Sequence, residues 1–177
     1  MSRLTTIDPT EATGLAAETF ASIKRAAGMI PNAYLTIGTH NPEGLDAMLR
    51  LDEVVAYSGI SDADLEAIRL IVSEWAGCHY SVTAHSLKAK FSGLSREAIS
   101  NIREGNSTGD SRRDVLLEFV RNIMFCKGTI SLSLVESIIR AGYSEHQIIG
   151  ISLAIASTMF TSTVNRVNDT IIDYPEI

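Results

Sequence analysis

Apolar residues in this chain recur every three or four positions, and no bounded run alternates apolar with polar. A period near 3.6 puts them on one stripe of a helix, whereas a half-buried strand needs a period of two. The clearest stripe is Leu65, Ile68, Ile71, Val72 and Trp75, opened by Ser61 with Asp64 in its first turn. Cap signals divide the rest of the chain. Asp8, Pro9 and Glu11 predict a capped start for a helix that ends near Gly28, just before Pro31. Asn41 and Pro42 start another that reaches about Tyr57, and Gly77 breaks the Leu65–Trp75 helix. A further amphipathic segment runs from Cys78 to Gly93, and Ser95 opens a short helix that stops at the linker-like "EGNSTGD". Asp110, then Ser131 or Ser133, then Ser144 open the last three helices. The expectation is an all-α fold of roughly seven or eight helices. Within it, helices over 62–77 and 79–92 form an antiparallel pair around the candidate site.

Composition narrows the function classes. The 177 residues are 45% hydrophobic and 20% charged, which suits a single domain over 1–177 and argues against disorder away from the ends. Net charge is −6, with no basic run longer than "SRR", so a phosphate-tracking surface and a nucleic-acid partner are not expected. Two cysteines, Cys78 and Cys126, do not make a disulfide framework in a chain of this size. The N-terminal "MSRLTTIDPTEA" lacks a signal-peptide core, so a reducing cytoplasm is the expected location. Residues 148–164, "IIGISLAIASTMFTSTV", are too short and too rich in Ser and Thr for a membrane span and read as a core helix.

The candidate chemistry gathers in "CHYSVTAH", residues 78–85. On a helix Cys78, Ser81 and His85 share one stripe, because residues three and four apart lie on the same face. Cys78 follows a glycine at a helix start, where free N–H groups and the helix dipole favour an anion. His85 is one turn past Ser81, within reach of a hydrogen bond to it. Glu66 and Glu74 of the preceding helix can fold back against the stripe, with Glu74 read as a solvated charge. Tyr80 reads as a packing residue or pocket wall. His79 beside Cys78 points to a different face, and no second ligand pair stands at zinc spacing, so no metal is expected. Cys126 lies three and seven residues from Ile123 and Phe119 and reads as core.

The segment "DLEAIRLIVSEWAGCHYSVTAHSLKAKFSGLS" resembles the signature of the alkylhydroperoxidase D/carboxymuconolactone decarboxylase superfamily. That signature has a glutamate twelve residues before a Cys-x-x-Cys and a histidine four residues after the second cysteine. Glu66, Cys78, Ser81 and His85 occupy the four places, and Tyr80 matches a common aromatic before the second cysteine. Residues 11–49 resemble the N-terminal half of peroxidase-related members, and residues 162–177 resemble their last helix and tail. The resemblance implies an all-α bundle that assembles as trimers or hexamers and needs no cofactor. It also implies reduction of a small hydroperoxide at the expense of a thiol reductant. In thiol-active members the second cysteine attacks the peroxide and the first resolves it, while the histidine and glutamate form the proton relay. Carried over, His85 is the base, Glu66 orients it, and Cys78 is the resolving thiol.

The nucleophile place holds Ser81, and an alcohol has no sulfenic state, so the two-thiol cycle cannot run within this helix. Three accounts of Ser81 stay open: natural divergence, one-thiol chemistry at Cys78, or an introduced substitution. The leading expectation is a thiol antioxidant protein that is impaired or single-thiol. Alternatives are an acid–base enzyme of the carboxymuconolactone decarboxylase type and a non-catalytic oligomeric binding protein. A serine hydrolase built on Ser81, His85 and Glu66 has fitting residue types but no evident oxyanion hole. The site is expected to pair Ser81 with His85 and to have apolar walls.

Overall fold

In the computed structural model, which describes residues 2–175, nine helices follow one another and no strand occurs among those residues. They are α1 (Gly14–Ala27), α2 (Asn32–His40), α3 (Pro42–Ala56), α4 (Asp62–Ala76), α5 (His79–Phe91), α6 (Arg96–Glu104), α7 (Ser111–Phe125), α8 (Leu132–Arg140) and α9 (Glu145–Asn168). From α3 onward the expected caps close most helix starts. Asn41, Ser61, Ser95 and Asp110 each accept from backbone N–H groups of the first turn, and so does Ser131, which takes the place that Ser133 was equally expected to fill. Ser144 and Gln147 make a full capping box at α9.

Two expectations at the N-terminal end are corrected. Asp8 does not open a helix: its carboxylate accepts from the N–H and O–H of Thr10, and Glu11 N–H returns to the Asp8 carbonyl, so this segment closes as a turn. Helix α1 starts instead at Gly14. Helix α2 was not expected at all. It has no cap of its own, and the carboxylate that serves its first N–H belongs to Asp173, far along the chain.

Helix α4 is the centre of the bundle. Leu65, Ala67, Ile68, Leu70, Ile71 and Val72 are buried on all sides of it, under α5, α6, α7 and α9. One of its two buried acids, Asp64, accepts from Arg113 Nε at 2.8 Å and from the Tyr143 hydroxyl at 3.3 Å, which ties α4 to α7 and to the turn before α9. A second apolar cluster joins Phe20, Ile23, Ile37, Leu45 and Met48 of α1, α2 and α3. By length and composition α9 could cross a membrane, but its inner face buries Gly150, Ile151, Ala154 and Ile155 against the bundle. That face then turns polar at Ser157, Thr158, Ser162, Asn165 and Asn168.

Gly150 fixes how closely α9 approaches the turn after α3. A Cβ there would lie 2.5 Å from Ser58 Cβ, an atom held by its own backbone. Gly150→Ala is therefore expected to cost about 1–3 kcal/mol, the range for overpacking a tight contact. Urea unfolding of the two proteins measures it.

Candidate functional site

Gly77 makes the site by turning the chain. With φ of 63° it ends α4 in the left-handed region, and the N–H groups of Gly77 and Cys78 return to the Glu74 and Ser73 carbonyls. This closure suits glycine because a side chain is strained there. Cys78 then serves as the N-terminal cap residue of α5, and the two helices run back along each other as an antiparallel pair. The pairing brings Glu66 of α4 against His85 of α5, with Nδ1 2.8 Å from Glu66 Oε2.

Glu66 is 7% exposed and is held by two partners, since Arg69 Nη1 donates to its other oxygen at 2.7 Å. Burial by itself pushes the Glu66 carboxyl up, but His85, Arg69 and Lys88 outweigh it and hold the group down to about 2. For His85 burial is the largest effect and drives the pKa below 6.5, against the pull of Glu66 and with help from Lys88 and Arg69. At neutral pH the pair is thus an ionised carboxylate and a neutral imidazole. The ionised Glu66 can only accept, so Nδ1 carries the ring proton and Nε2 is left as a bare acceptor. No protein group among the described residues bonds to that nitrogen.

Ser81 takes its partners from elsewhere. Its oxygen receives the Cys78 thiol at 3.2 Å, the Ser162 hydroxyl at 3.1 Å and Asn165 Nδ2 at 3.5 Å. The expected Ser81–His85 hydrogen bond is not formed, because α9 supplies donors to the serine while α4 holds the imidazole. Cys78 is 2% exposed and packs with Ala33, Ala76 and Tyr80. Cys126 is corrected from core to surface: it is exposed just beyond the last turn of α7. Glu74 is not free in solvent either, because Arg103 Nε donates to it at 2.5 Å.

A narrow pocket of about 40 Å³ opens onto Ser81 and His85. Roughly three water molecules would fill it. Tyr80 forms part of its wall, as do Tyr34, Lys88, Thr161, Asn165 and Tyr174. The expected apolar walls are met only in part: Pro31, Ala33 and Ala84 stand beside hydroxyl, amide and charged groups. Cys78 is not among the lining residues, whereas Ser81 is. Asn165 is 3% exposed and its Oδ1 has no partner among the described residues. Among the described residues no cluster of His, Cys, Asp or Glu is arranged to hold a metal ion.

Several of these groups were missed in the sequence. Arg69 stands one turn after Glu66 and also donates to Asp52 at 3.3 Å, which in turn accepts from Ser157 at 2.8 Å. The (i, i+3) spacing from Glu66 was a readable signal for Arg69, and so was the polar run Ser162, Asn165, Asn168 inside an apolar helix. Nothing local marks Asp52. Removing the guanidinium leaves two carboxylates facing each other in a mostly buried place, so Arg69→Ala is expected to cost about 3–5 kcal/mol. Denaturant unfolding checks this, and a loss under 1 kcal/mol would contradict it.

No protein-family model and no curated protein sequence matches the chain. Its fold is the alkylhydroperoxidase D-like fold. A peroxidase-related protein with an alkylhydroperoxidase AhpD core, from Ralstonia eutropha JMP134, superposes with a TM-score of 0.87 at 16% identity, covering 97% of this chain and 92% of that one. A peroxidase-related protein from Silicibacter sp. TM1040 gives 0.80 at 21% identity, over 96% and 92% of the two chains. The debrominase Bmp8 gives 0.79 at 24% identity, over 97% and 92%, and a variant of it has been solved in complex with 2,3,4-tribromopyrrole. At such identities the likeness establishes the fold and leaves the reaction to the site.

Proposed function

We propose that this chain is an alkylhydroperoxidase-D-like enzyme for a small molecule, in which His85, oriented by Glu66, moves a proton and no thiol turns over. The observation that carries this reading is the Glu66–His85 contact at 2.8 Å, which leaves Nε2 unpartnered on a residue that lines the pocket. A base needs the correct tautomer, a bare acceptor and a place for substrate, and these three are supplied together. The sulfur–oxygen exchange at position 81 supports the same choice, since the side chain that reaches the pocket there cannot be oxidised. The complex of a Bmp8 variant with 2,3,4-tribromopyrrole supports a small ligand on this fold.

A second reading is favoured by the Cys78 thiol lying 3.2 Å from Ser81 and by the peroxidase-related neighbours. In it the Cys78 thiolate attacks the terminal oxygen of a hydroperoxide, the O–O bond breaks, and the products are a Cys78 sulfenic acid and an alcohol. Two equivalents of an external thiol then restore Cys78, giving a disulfide and water. Because Cys78 is 2% exposed, this route is expected to be slow. Turnover of carboxylated lactones and of cumene hydroperoxide with dithiothreitol separates the two. Activity that survives Cys78→Ala supports proton transfer. Multi-turnover peroxide reduction abolished by Cys78→Ala would replace it with the one-thiol reading. The self-association expected from the resemblance belongs to both readings, and light scattering tests it.

A further inference from the structure

The residues after α9 return across the site. Asp173 is fixed at both oxygens: Oδ1 accepts from the Tyr80 hydroxyl at 2.8 Å and Oδ2 accepts from the Asn32 backbone N–H at 2.7 Å. The second bond caps α2, whose preceding residue Pro31 offers no side-chain cap, and a carboxylate at a helix start is favourable there. Asn32 closes the loop by donating its side-chain amide to the Ile171 carbonyl at 3.0 Å. Tyr174 follows directly. Its ring meets Tyr80 edge-on, with centroids 5.6 Å apart and planes at 72°, and it forms a wall of the pocket beside Pro31 and Ala33. The same ring packs on the cluster that encloses Cys78.

We infer that Asp173 and Tyr174 form a latch over the pocket, with Asp173 the hook and Tyr174 the ring that decides what reaches Ser81, His85 and Cys78. The pocket holds little as it stands, and Tyr174 of this segment forms part of its wall. Ile171, Ile172 and Pro175 beside it are exposed, so the three hydrogen bonds above, a fourth from the Ile171 N–H to Ser2 Oγ at 3.4 Å, and the packing of the Tyr174 ring hold a segment that otherwise faces solvent. Segments with so few buried contacts open locally without unfolding the rest. Opening also strips α2 of its cap, which couples access to the site with the end of a neighbouring helix.

This inference rests on the pocket being the working site, but its test needs no substrate. The two cysteines act as reporter and reference, since Cys126 is exposed and Cys78 is buried under the latch. Native protein treated with an aromatic disulfide reagent should react in a fast phase at Cys126 and a slow phase at Cys78. Asp173→Ala and Tyr174→Ala should each speed the slow phase by about tenfold or more and leave the fast phase unchanged. Tyr174→Phe, which keeps the ring, should leave both phases as they are. Equal Cys78 rates in the unaltered protein and in both alanine variants would overturn the latch. Should Asp173→Ala loosen the whole chain, Tyr174→Ala decides alone, because it removes only a half-buried ring. Failure to turn over any small molecule sinks the enzymatic reading without touching this result. Unchanged labelling alongside intact activity sinks the latch alone.

Discussion

His85→Ala is expected to lower turnover by about 10²–10⁴-fold, the range for removing a positioned general base. The loss should appear in kcat, because the imidazole acts on the proton in flight and contributes little to holding the substrate. The pH profile carries the sharper information. The active form is neutral His85, whose pKa lies below 6.5 because the ring is buried. Activity should therefore be flat above pH 6.5 and fall as acid protonates the ring. Neighbouring charges give the acid limb opposite shifts. Glu66→Gln removes the carboxylate that raises the His85 pKa, so the limb moves to lower pH. Arg69→Ala removes a cation that lowers it, so in whatever fraction stays folded the limb moves to higher pH. Shifts of the same sign in both variants would show that some other group sets the profile.

Stability should follow the same two groups. His85 binds its proton less readily folded than unfolded, so the unfolded chain gains as pH falls below 6.5. Glu66, held down to about 2 from 4.5, adds stability that is complete above 4.5 and lost as pH falls toward 2. Both signs agree, and acid should destabilise the protein in two stages.

What could be read from the sequence depended on how far apart the interacting residues are. Ser61, Ser95, Asp110 and Ser144 could be assigned as caps because the groups they serve lie two or three residues on. Glu66, Cys78, Ser81 and His85 could be placed on adjoining helices because α4 and α5 are joined by two residues. Helix α2 was invisible for the opposite reason: its cap, Asp173, is 141 residues away. Asp8 shows that a correct local signal can lose, since the same carboxylate that would cap a helix also closes a turn with Thr10. The Ser81–His85 pairing failed similarly. Helical spacing put the two side chains on one stripe, but Ser162 and Asn165 from α9 and Glu66 from α4 drew them apart. Cys126 has the spacing of a core position, but α7 ends at Phe125 before it can face inward.

Ser81→Cys is expected to turn a slow oxidation into multi-turnover hydroperoxide reduction, with a rate gain of orders of magnitude at neutral pH. The surroundings of position 81 are already those an anion needs: Ser162 O–H at 3.1 Å and Asn165 N–H at 3.5 Å both point at the side-chain oxygen. A hydroxyl cannot exploit them, because its pKa is far above the working range. A thiol lies within a few units of neutrality, and two aimed donors with a neutral imidazole nearby move it further toward thiolate. The new thiolate would attack the peroxide oxygen, release an alcohol and become a sulfenic acid. The Cys78 thiol, now 3.2 Å from that position, would displace water to form a disulfide, which an external dithiol reduces. Position 81 lines the pocket and Cys78 does not, so the substitution also moves the reacting sulfur to where a peroxide can arrive. Stopped-flow peroxide consumption, with mass spectrometry for the disulfide between positions 78 and 81, measures each step. If the variant consumes peroxide no faster than the unaltered chain, the pocket is not arranged for thiol chemistry, and proton transfer at His85 is left as the reading.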